Sequence, residues 1–132
     1  MRAFNIEIVT PDGIEYSGEA ESLLVRTTEG DIEILAGHTD FLASLATGRA
    51  RLIIEGKTRQ ASTSGGFLSV KGGKVRMCAT TFEFAEDIDL KRAEDAKARA
   101  EAALSIAKDE REERILRAKL MRAVSRIQVA GK

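Results

Sequence analysis

The chain has 132 residues, in which 21 Lys and Arg balance 21 Asp and Glu. This length fits one ordinary domain, or a small domain with an appendage, and the zero net charge argues against a uniformly basic nucleic-acid-binding protein. One Cys and one His exclude a disulfide framework and a Cys/His-rich zinc site. No apolar run approaches the roughly 18 residues of a membrane span, and no signal peptide is recognisable, so we expect a soluble, intracellular protein.

The composition changes near residue 85. Ten of the eleven glycines lie between Gly13 and Gly73, and every aromatic residue and the only proline precede residue 85. From Ala85 to Ala130 the chain has no Gly, Pro or aromatic residue. The pattern predicts two parts, a β domain over residues 1–84 and a helical hairpin over residues 85–132.

Short alternating segments predict strands in the first part. The first, residues 4–8, precedes a turn at Pro11-Asp12-Gly13, and later apolar runs recur about every 8–12 residues, which is typical of a sandwich or barrel. The pair Gly72-Gly73 fits a two-residue hairpin with positive φ, and we interpret Gly65-Gly66 as hairpin material too. Cys78 lies in an apolar run, so we expect a buried thiol.

Two helices are predicted in the second part. Asp89 is a natural N-cap for a helix that ends near Leu104, and residues 105–109 hold the turn. Each helix has an apolar stripe, formed by Leu90, Ala93, Ala100 and Leu104 in the first and by Leu116, Leu120, Ala123, Val124 and Ile127 in the second. Because the first stripe is thin, we expect the hairpin to need the sandwich, a ligand or another protein as cover.

The second helix is basic along its later part. After Glu113 no acidic residue remains, and six cations follow: Arg114, Arg117, Lys119, Arg122, Arg126 and Lys132. This is either a solvated face or a surface for acidic protein segments or phosphates. Arg92 and Arg99 share a face of the first helix, so an antiparallel hairpin would place guanidinium groups of both helices around a polyphosphate.

Signatures of catalysis are missing from the sequence. It has no P-loop, no G-x-S-x-G and no G-x-G-x-x-G. His38 has Asp31 and Asp40 nearby in sequence, but such pairs are common on surfaces, and we interpret His38 as a loop histidine at a protein contact. An isolated D-x-x-R such as Asp89 and Arg92 is, by itself, only a helix cap with a first-turn residue. We therefore expect no catalytic residue, no metal site and no turnover by the isolated chain.

Four stretches of the sequence are distinctive when they are taken together. They are residues 4–13, residues 30–42 with their Gly37-His38 pair, residues 64–70 with S-G-G-F-L-S-V, and residues 85–89 before the Ala/Glu/Arg-rich helix. In this order and spacing, they resemble the epsilon-subunit family of F-type ATP synthases over nearly the whole chain. Ala36 stands where that family usually has proline before the Gly-His pair.

The resemblance implies an α+β protein, a ten-stranded β-sandwich followed by an antiparallel two-helix hairpin. The sandwich would bind the γ subunit and the c-ring, with Asp31 and His38 near this contact. The hairpin would be mobile, either folded on the sandwich or extended along γ toward the catalytic α/β subunits, where it inhibits ATP hydrolysis. The chain would be a non-catalytic rotor subunit, peripheral to the cytoplasmic face of the bacterial membrane, that couples proton transport to ATP synthesis.

The resemblance also implies a regulatory ligand. In bacillus-like members the folded hairpin binds ATP through an I/L-D-x-x-R-A motif, which Ile88, Asp89, Arg92 and Ala93 match at every fixed position. Four further residues fall where those members place nucleotide contacts: Glu83, Arg99, Arg122 and Arg126. Whether Mg²⁺ accompanies the ATP stays open at this point, with Glu83, Asp87 and Asp89 as carboxylates that can bind a cation.

The alternative interpretation is a free-standing β-sandwich module whose basic helix binds nucleic acid or an acidic partner. The balanced charge and the lack of an exposed aromatic pattern count against it. We therefore expect no nucleic-acid partner, and no direct insertion into the membrane.

Overall fold

The computed structural model describes residues 2–131, which form ten β-strands, a short 3₁₀ turn and two α-helices. The strands are β1 (Phe4–Thr10), β2 (Gly13–Ala20), β3 (Ser22–Thr27), β4 (Gly30–Leu35), β5 (Phe41–Ser44), β6 (Gly48–Ile54), β7 (Lys57–Ser64), β8 (Phe67–Lys71), β9 (Lys74–Cys78) and β10 (Thr81–Phe84). The 3₁₀ turn (Ala85–Asp87) leads into α1 (Leu90–Leu104) and α2 (Glu110–Ala130). The predicted ten-stranded sandwich with a C-terminal hairpin is confirmed.

Two five-stranded sheets form the sandwich. The first sheet has the order β2-β1-β9-β8-β5 and the second has the order β10-β7-β6-β3-β4. Side chains alternate between the two faces of each strand, so every second residue of β1, namely Phe4, Ile6 and Ile8, enters the core. The largest fully buried side chains come from both sheets and include Ile8, Leu23, Ile34, Leu52, Leu68 and Met77.

The two glycine pairs have different roles. Gly72 and Gly73 turn the β8–β9 hairpin with φ of 56° and 80°, as predicted. Gly65-Gly66 joins β7 to β8, which lie in different sheets, so the prediction of a hairpin there was wrong. At Gly66 a Cβ atom would overlap the carbonyl oxygen of Cys78, so the crossing needs glycine. Cys78 is half-buried and not buried as predicted, because it ends β9 on the outer face of its sheet.

Both helices begin at aspartate caps. The Asp89 carboxylate accepts a hydrogen bond from the Arg92 amide at 3.1 Å, and Asp109 accepts one from the Glu112 amide at 2.8 Å. These caps satisfy amides that have no partner within the helix. The predicted N-cap and the predicted turn over residues 105–109 are confirmed.

Helix α2 contacts two surfaces, α1 on one side and strands β6 and β7 on the other. The prediction that one apolar stripe of α2 is buried is only partly correct, because the helix packs on two sides. Ala123 is buried, whereas the larger residues of the predicted stripe are half-buried. Ser125 and Val129, which the stripe omits, are buried as well. The serine lies against β7, where its hydroxyl shares a hydrogen bond of 2.8 Å with the Ser62 hydroxyl.

Candidate functional site

Arg59 of β7 contacts the segment in which the chain leaves the sandwich, between the end of β10 and the 3₁₀ turn. Its guanidinium lies 3.7 Å from the centre of the Phe84 ring and forms an ion pair with Glu86 in the 3₁₀ turn. The hydrogen bond from Arg59 holds the pKa of Glu86 below its ordinary value of 4.5. These contacts set the position from which α1 begins.

A cavity of about 490 Å³, which we call the junction cavity, opens beside this exit. It brings together seven of the eight predicted nucleotide contacts: Glu83, Ile88, Asp89, Arg92, Ala93, Arg99 and Arg126. The acidic Asp87 of the 3₁₀ turn lines it as well. Residues from β10, the start of α1 and the later part of α2 thus line one cavity. An antiparallel hairpin that folds back on the sandwich brings these elements together.

The β1–β2 hairpin adds residues to the junction cavity that sequence reasoning missed. Thr10, Asp12 and Glu15 line it, and the Thr10 hydroxyl donates a hydrogen bond to the Glu15 carboxylate at 2.8 Å. Nothing local in the sequence marks them, because they lie far along the chain from Asp89. Only the pairing of β1 with β9 brings this hairpin to the exit of the sandwich.

Glu83 and Arg126 form an ion pair across the junction cavity. The Arg126 Nε atom lies 2.5 Å from Glu83 Oε1, and both side chains are partly buried. Glu83 is on β10 and Arg126 is on α2, so the pair joins the hairpin to the sandwich. An anion that entered here would compete with the Glu83 carboxylate for the Arg126 guanidinium.

A second cavity of about 510 Å³, the interhelical cavity, lies between α1 and α2. Arg122, the eighth predicted contact, lines this cavity and not the junction cavity. Arg99 and Arg126 line both cavities, so the two spaces adjoin. Lys119, which the resemblance does not mark as a nucleotide contact, also lines the interhelical cavity.

The two cavities differ in charge. Five carboxylates line the junction cavity, from Asp12, Glu15, Glu83, Asp87 and Asp89, against three guanidinium groups. The interhelical cavity is lined by four cations and no carboxylate. Carboxylates accept hydrogen bonds from hydroxyl and amino groups, whereas guanidinium forks donate to phosphate oxygens. The pair of cavities therefore fits a ligand with a donor-rich part and a polyanionic part.

Asp31 and His38 lie at opposite ends of β4. Asp31 forms an ion pair of 2.9 Å with Arg26, and the Arg26 hydrogen bond lowers the pKa of Asp31 below its ordinary value of 3.8. His38 is half-buried in the following loop, where its ring packs edge-on against the Phe41 ring, with 5.7 Å between the ring centroids. The four residue steps of β4 from Asp31 to Leu35 span about 13 Å, so the Asp31 and His38 side chains do not form one pair.

The outer face of the first sheet carries an apolar strip that runs across its strands. Phe67, Cys78, Val9 and Ile14 are successive cross-strand partners, and Leu42 on the edge strand β5 is 72% exposed. Phe67 and Ile14 are exposed as well. We call these five residues the apolar strip. Exposed apolar side chains grouped on one face of a sheet mark interaction sites.

Neither a cluster of metal-ligating side chains nor a membrane-spanning helix is found in residues 2–131. In this range no group of three or more His, Cys, Asp and Glu side chains is placed to hold a metal ion. Within the same residues, neither α-helix combines the length and the apolar character that crossing a bilayer requires.

Two family models match consecutive parts of the chain. The family described as ATP synthase, delta/epsilon chain, beta-sandwich domain matches residues 3–85, and that described as ATP synthase, delta/epsilon chain, long alpha-helix domain matches residues 86–131. Among curated proteins, the ATP synthase epsilon chain of Bacillus velezensis is 43% identical over 131 residues, covering 99% of each chain.

Solved structures resemble the fold. A chain of the Euglena gracilis mitochondrial ATP synthase, solved as OSCP/F1/c-ring, superposes with a TM-score of 0.83 at 26% identity. That match covers 98% of this chain and 82% of the other. A chain of the Tetrahymena thermophila mitochondrial ATP synthase, from its central stalk and c-ring, has a TM-score of 0.67 at 11% identity, covers 96% and 95%, and shares the fold alone.

Proposed function

The chain belongs to the ATP synthase delta/epsilon family, as its resemblance predicted, and we propose that it is a non-catalytic central-stalk subunit of an F-type ATP synthase. The observation that supports this most strongly is that both family domains match in order and together span residues 3–131. The relative that is 43% identical carries the name epsilon chain over its whole length. A free-standing nucleic-acid-binding module has no comparable support.

The sandwich is the part that joins the rotor. We assign the apolar strip to the γ subunit, because Phe67, Leu42 and Ile14 expose apolar surface that a stable partner would remove from water. We assign the region from Asp31 to His38 to the c-ring and the adjoining part of γ. An ordinary interface includes about 20–30 residues on each side, so one interface can contain both ends of β4.

ATP is the proposed regulatory ligand of the folded hairpin. The junction cavity and the adjoining interhelical cavity each fall within the roughly 300–1,000 Å³ of small-molecule sites. The Asp89 carboxylate and its acidic neighbours would accept hydrogen bonds from base and ribose donors. Arg92 and Arg99, together with Arg122 and Arg126, would hold the phosphates, because guanidinium groups bind phosphate oxygens in a bidentate manner.

Magnesium, if it enters with the nucleotide, would depend on the phosphates for ligands. Mg²⁺ is usually held by one or two carboxylates together with substrate phosphates and water. Asp87, Asp89 and Glu83 line the junction cavity and supply such carboxylates without forming a metal cluster among themselves. We therefore propose that ATP binds without requiring the cation, and that Mg²⁺ binds only when the ATP phosphates are present.

Inhibition of ATP hydrolysis is proposed for the extended hairpin. Released from the sandwich, the basic part of α2 from Arg114 onward would meet acidic surfaces of the catalytic α/β subunits and obstruct rotation. The subunit would act at the cytoplasmic face of the bacterial membrane through its partners, where the rotor couples proton transport to ATP synthesis.

Co-purification with γ tests the subunit role. We expect the full chain to retain γ, Phe67→Asp to lose it, and Ile106→Asp to retain it, because Ile106 is more exposed than Phe67 (74% against 46%) but lies in the turn between the helices. Failure of the unaltered chain to retain γ would contradict the subunit role. Retention by Phe67→Asp would contradict only the placement of γ on the apolar strip.

A further inference from the structure

A third cavity, which we call the sheet-side cavity, lies between α2 and the second sheet and has a volume of about 610 Å³. The sandwich supplies one wall through β3 and β6, and α2 supplies the other between Leu120 and Gln128. It shares no lining residue with the junction cavity or the interhelical cavity. The contacts proposed for the nucleotide therefore leave this cavity unused.

The wall that α2 supplies is largely apolar. Leu120 and Val124 are half-buried, and Met121 between them is 56% exposed, so part of this apolar surface faces water. From Leu120 to Gln128 the helix rises by about 12 Å, which gives the wall the length of a medium-chain hydrocarbon. A hydrocarbon chain laid along the wall would remove apolar surface from water on both sides of the contact.

The wall that the sandwich supplies is cationic. Arg26 and Arg49 line the cavity, and no carboxylate does. Arg26 is paired with Asp31 at 2.9 Å, whereas Arg49 forms no ion pair within residues 2–131. A single anionic group that entered the cavity could therefore pair with Arg49 without displacing an existing partner.

We propose that the sheet-side cavity binds an amphipathic carboxylate of medium chain length. The carboxylate would accept hydrogen bonds from the Arg49 guanidinium, and the hydrocarbon chain would lie along Leu120, Met121 and Val124. One unpaired guanidinium matches one negative charge, and the apolar wall fits a ligand whose remaining surface is hydrocarbon. Because the two walls come from the sandwich and from α2, this ligand would bind the docked hairpin and favour it.

Calorimetric titration of the full chain with sodium decanoate, below the concentration at which it forms micelles, tests the proposal. We expect saturable binding of one decanoate, which Arg49→Gln and Met121→Gln each weaken about fivefold, the size of one exposed ion pair or one partly buried side chain. Arg111→Gln and Ile115→Gln are the matched controls and should bind like the parent, because both residues are exposed on α2 and line none of the three cavities. Decanol, which has the same chain without the charge, should bind more weakly than decanoate.

Four results would overturn the proposal. They are the absence of saturable binding, equal weakening by Arg49→Gln and Arg111→Gln, equal weakening by Met121→Gln and Ile115→Gln, and decanol binding as tightly as decanoate. Loss of binding in Phe67→Asp with full binding in Met121→Gln would place the ligand on the apolar strip and overturn it as well. The ATP site would stand or fall separately, because the sheet-side cavity uses none of its residues.

Discussion

Ser125 of α2 and Ser62 of β7 share a hydrogen bond of 2.8 Å although both residues are buried. The next residue of the helix, Arg126, reaches Glu83, which is the cross-strand partner of Ser62 on β10. Two consecutive residues of α2 thus contact two paired residues of the second sheet. Hydroxyl and charged groups recover hydrogen bonds from water when they separate, so this contact holds the hairpin without making its release very costly.

We predict that Ser125→Ala destabilises the protein by about 1–3 kcal/mol, because it leaves the Ser62 hydroxyl buried without a partner. Adding Ser62→Ala should recover part of that loss. Chemical unfolding of both single variants and the double variant gives the coupling energy. Ser17→Ala, on an exposed residue of β2, is the control and should change stability by less than about 0.5 kcal/mol. Strict additivity would show that the two hydroxyls do not interact.

Local signals in the sequence predict the elements well, but not the contacts between them. Asp89 caps α1 through an amide three residues away, so its role is visible in a short window. Ser125 reads as a polar helix residue, and its burial depends on Ser62, 63 residues earlier. Thr10 and Glu15 likewise join the candidate site only because β1 pairs with β9. Contacts between residues that are far apart in the chain depend on tertiary packing, so local sequence patterns do not predict them.

Asp89 has a structural role and a proposed ligand role, which two substitutions separate. Serine is a good N-cap, so Asp89→Ser keeps the cap while removing the carboxylate, whereas Asp89→Ala removes both. We expect both variants to weaken ATP binding by about 1–3 kcal/mol, and only Asp89→Ala to lower helix stability appreciably. Calorimetry and helix content measure the two effects. If Asp89→Ser binds ATP like the parent, Asp89 is only a cap.

Arg92 is expected to bind phosphate through its planar fork. Arg92→Lys keeps the charge but cannot form two parallel hydrogen bonds, so we predict a loss of ATP affinity close to that of Arg92→Ala. Lys91→Ala is the control, because this exposed neighbour does not line the junction cavity. Full affinity in Arg92→Lys would indicate that only charge matters at this position.

The Arg59–Glu86 pair predicts a specific dependence on pH. Because the folded state lowers the pKa of Glu86 below 4.5, the pair stabilises the fold above pH 4.5, and this contribution is lost as pH falls through the lowered value. Since Glu86 is exposed, the effect should be below about 1 kcal/mol. Arg59→Gln should reduce the loss of stability between pH 7 and pH 3, whereas Arg59→Lys should largely keep it. An unchanged pH dependence in Arg59→Gln would exclude the pair as its source.

Gly66 is predicted to be the least replaceable glycine of the crossing between the sheets. Gly66→Ala would combine a φ of 88° with overlap against the backbone of Cys78, and we expect it to cost more than about 3 kcal/mol. Gly72→Ala is the control: its φ is 56°, but nothing lies within 4 Å of the added methyl, so about 1–2 kcal/mol is expected. Denaturant midpoints compare the two, and equal losses would mean that the overlap relaxes freely.

The docked hairpin is expected to be only marginally favoured, since the buried residues of α1 are Ala93 and Ala100, which bury little area. A ligand that binds the docked form shifts the population toward it, and a hundredfold excess over the dissociation constant contributes about 2.7 kcal/mol. ATP should therefore raise fluorescence transfer between labels on the sandwich and on α2. Unchanged transfer across a titration in which calorimetry proves binding would exclude ATP as the switch.

Removal of the hairpin tests its proposed inhibitory role in the assembled enzyme. We predict that deleting residues 86–132 raises the rate of ATP hydrolysis in reconstituted complexes and leaves assembly intact, because the apolar strip and the Asp31–His38 region remain on the sandwich. Replacing Arg114, Arg122 and Arg126 together by Gln should raise the rate in part, since it removes charge from α2 without removing the helix. Lys97→Gln on α1 is the control for loss of a hairpin charge elsewhere. An unchanged rate after the deletion would show that the hairpin does not restrain hydrolysis, whereas loss of assembly would place a γ contact on the helices themselves.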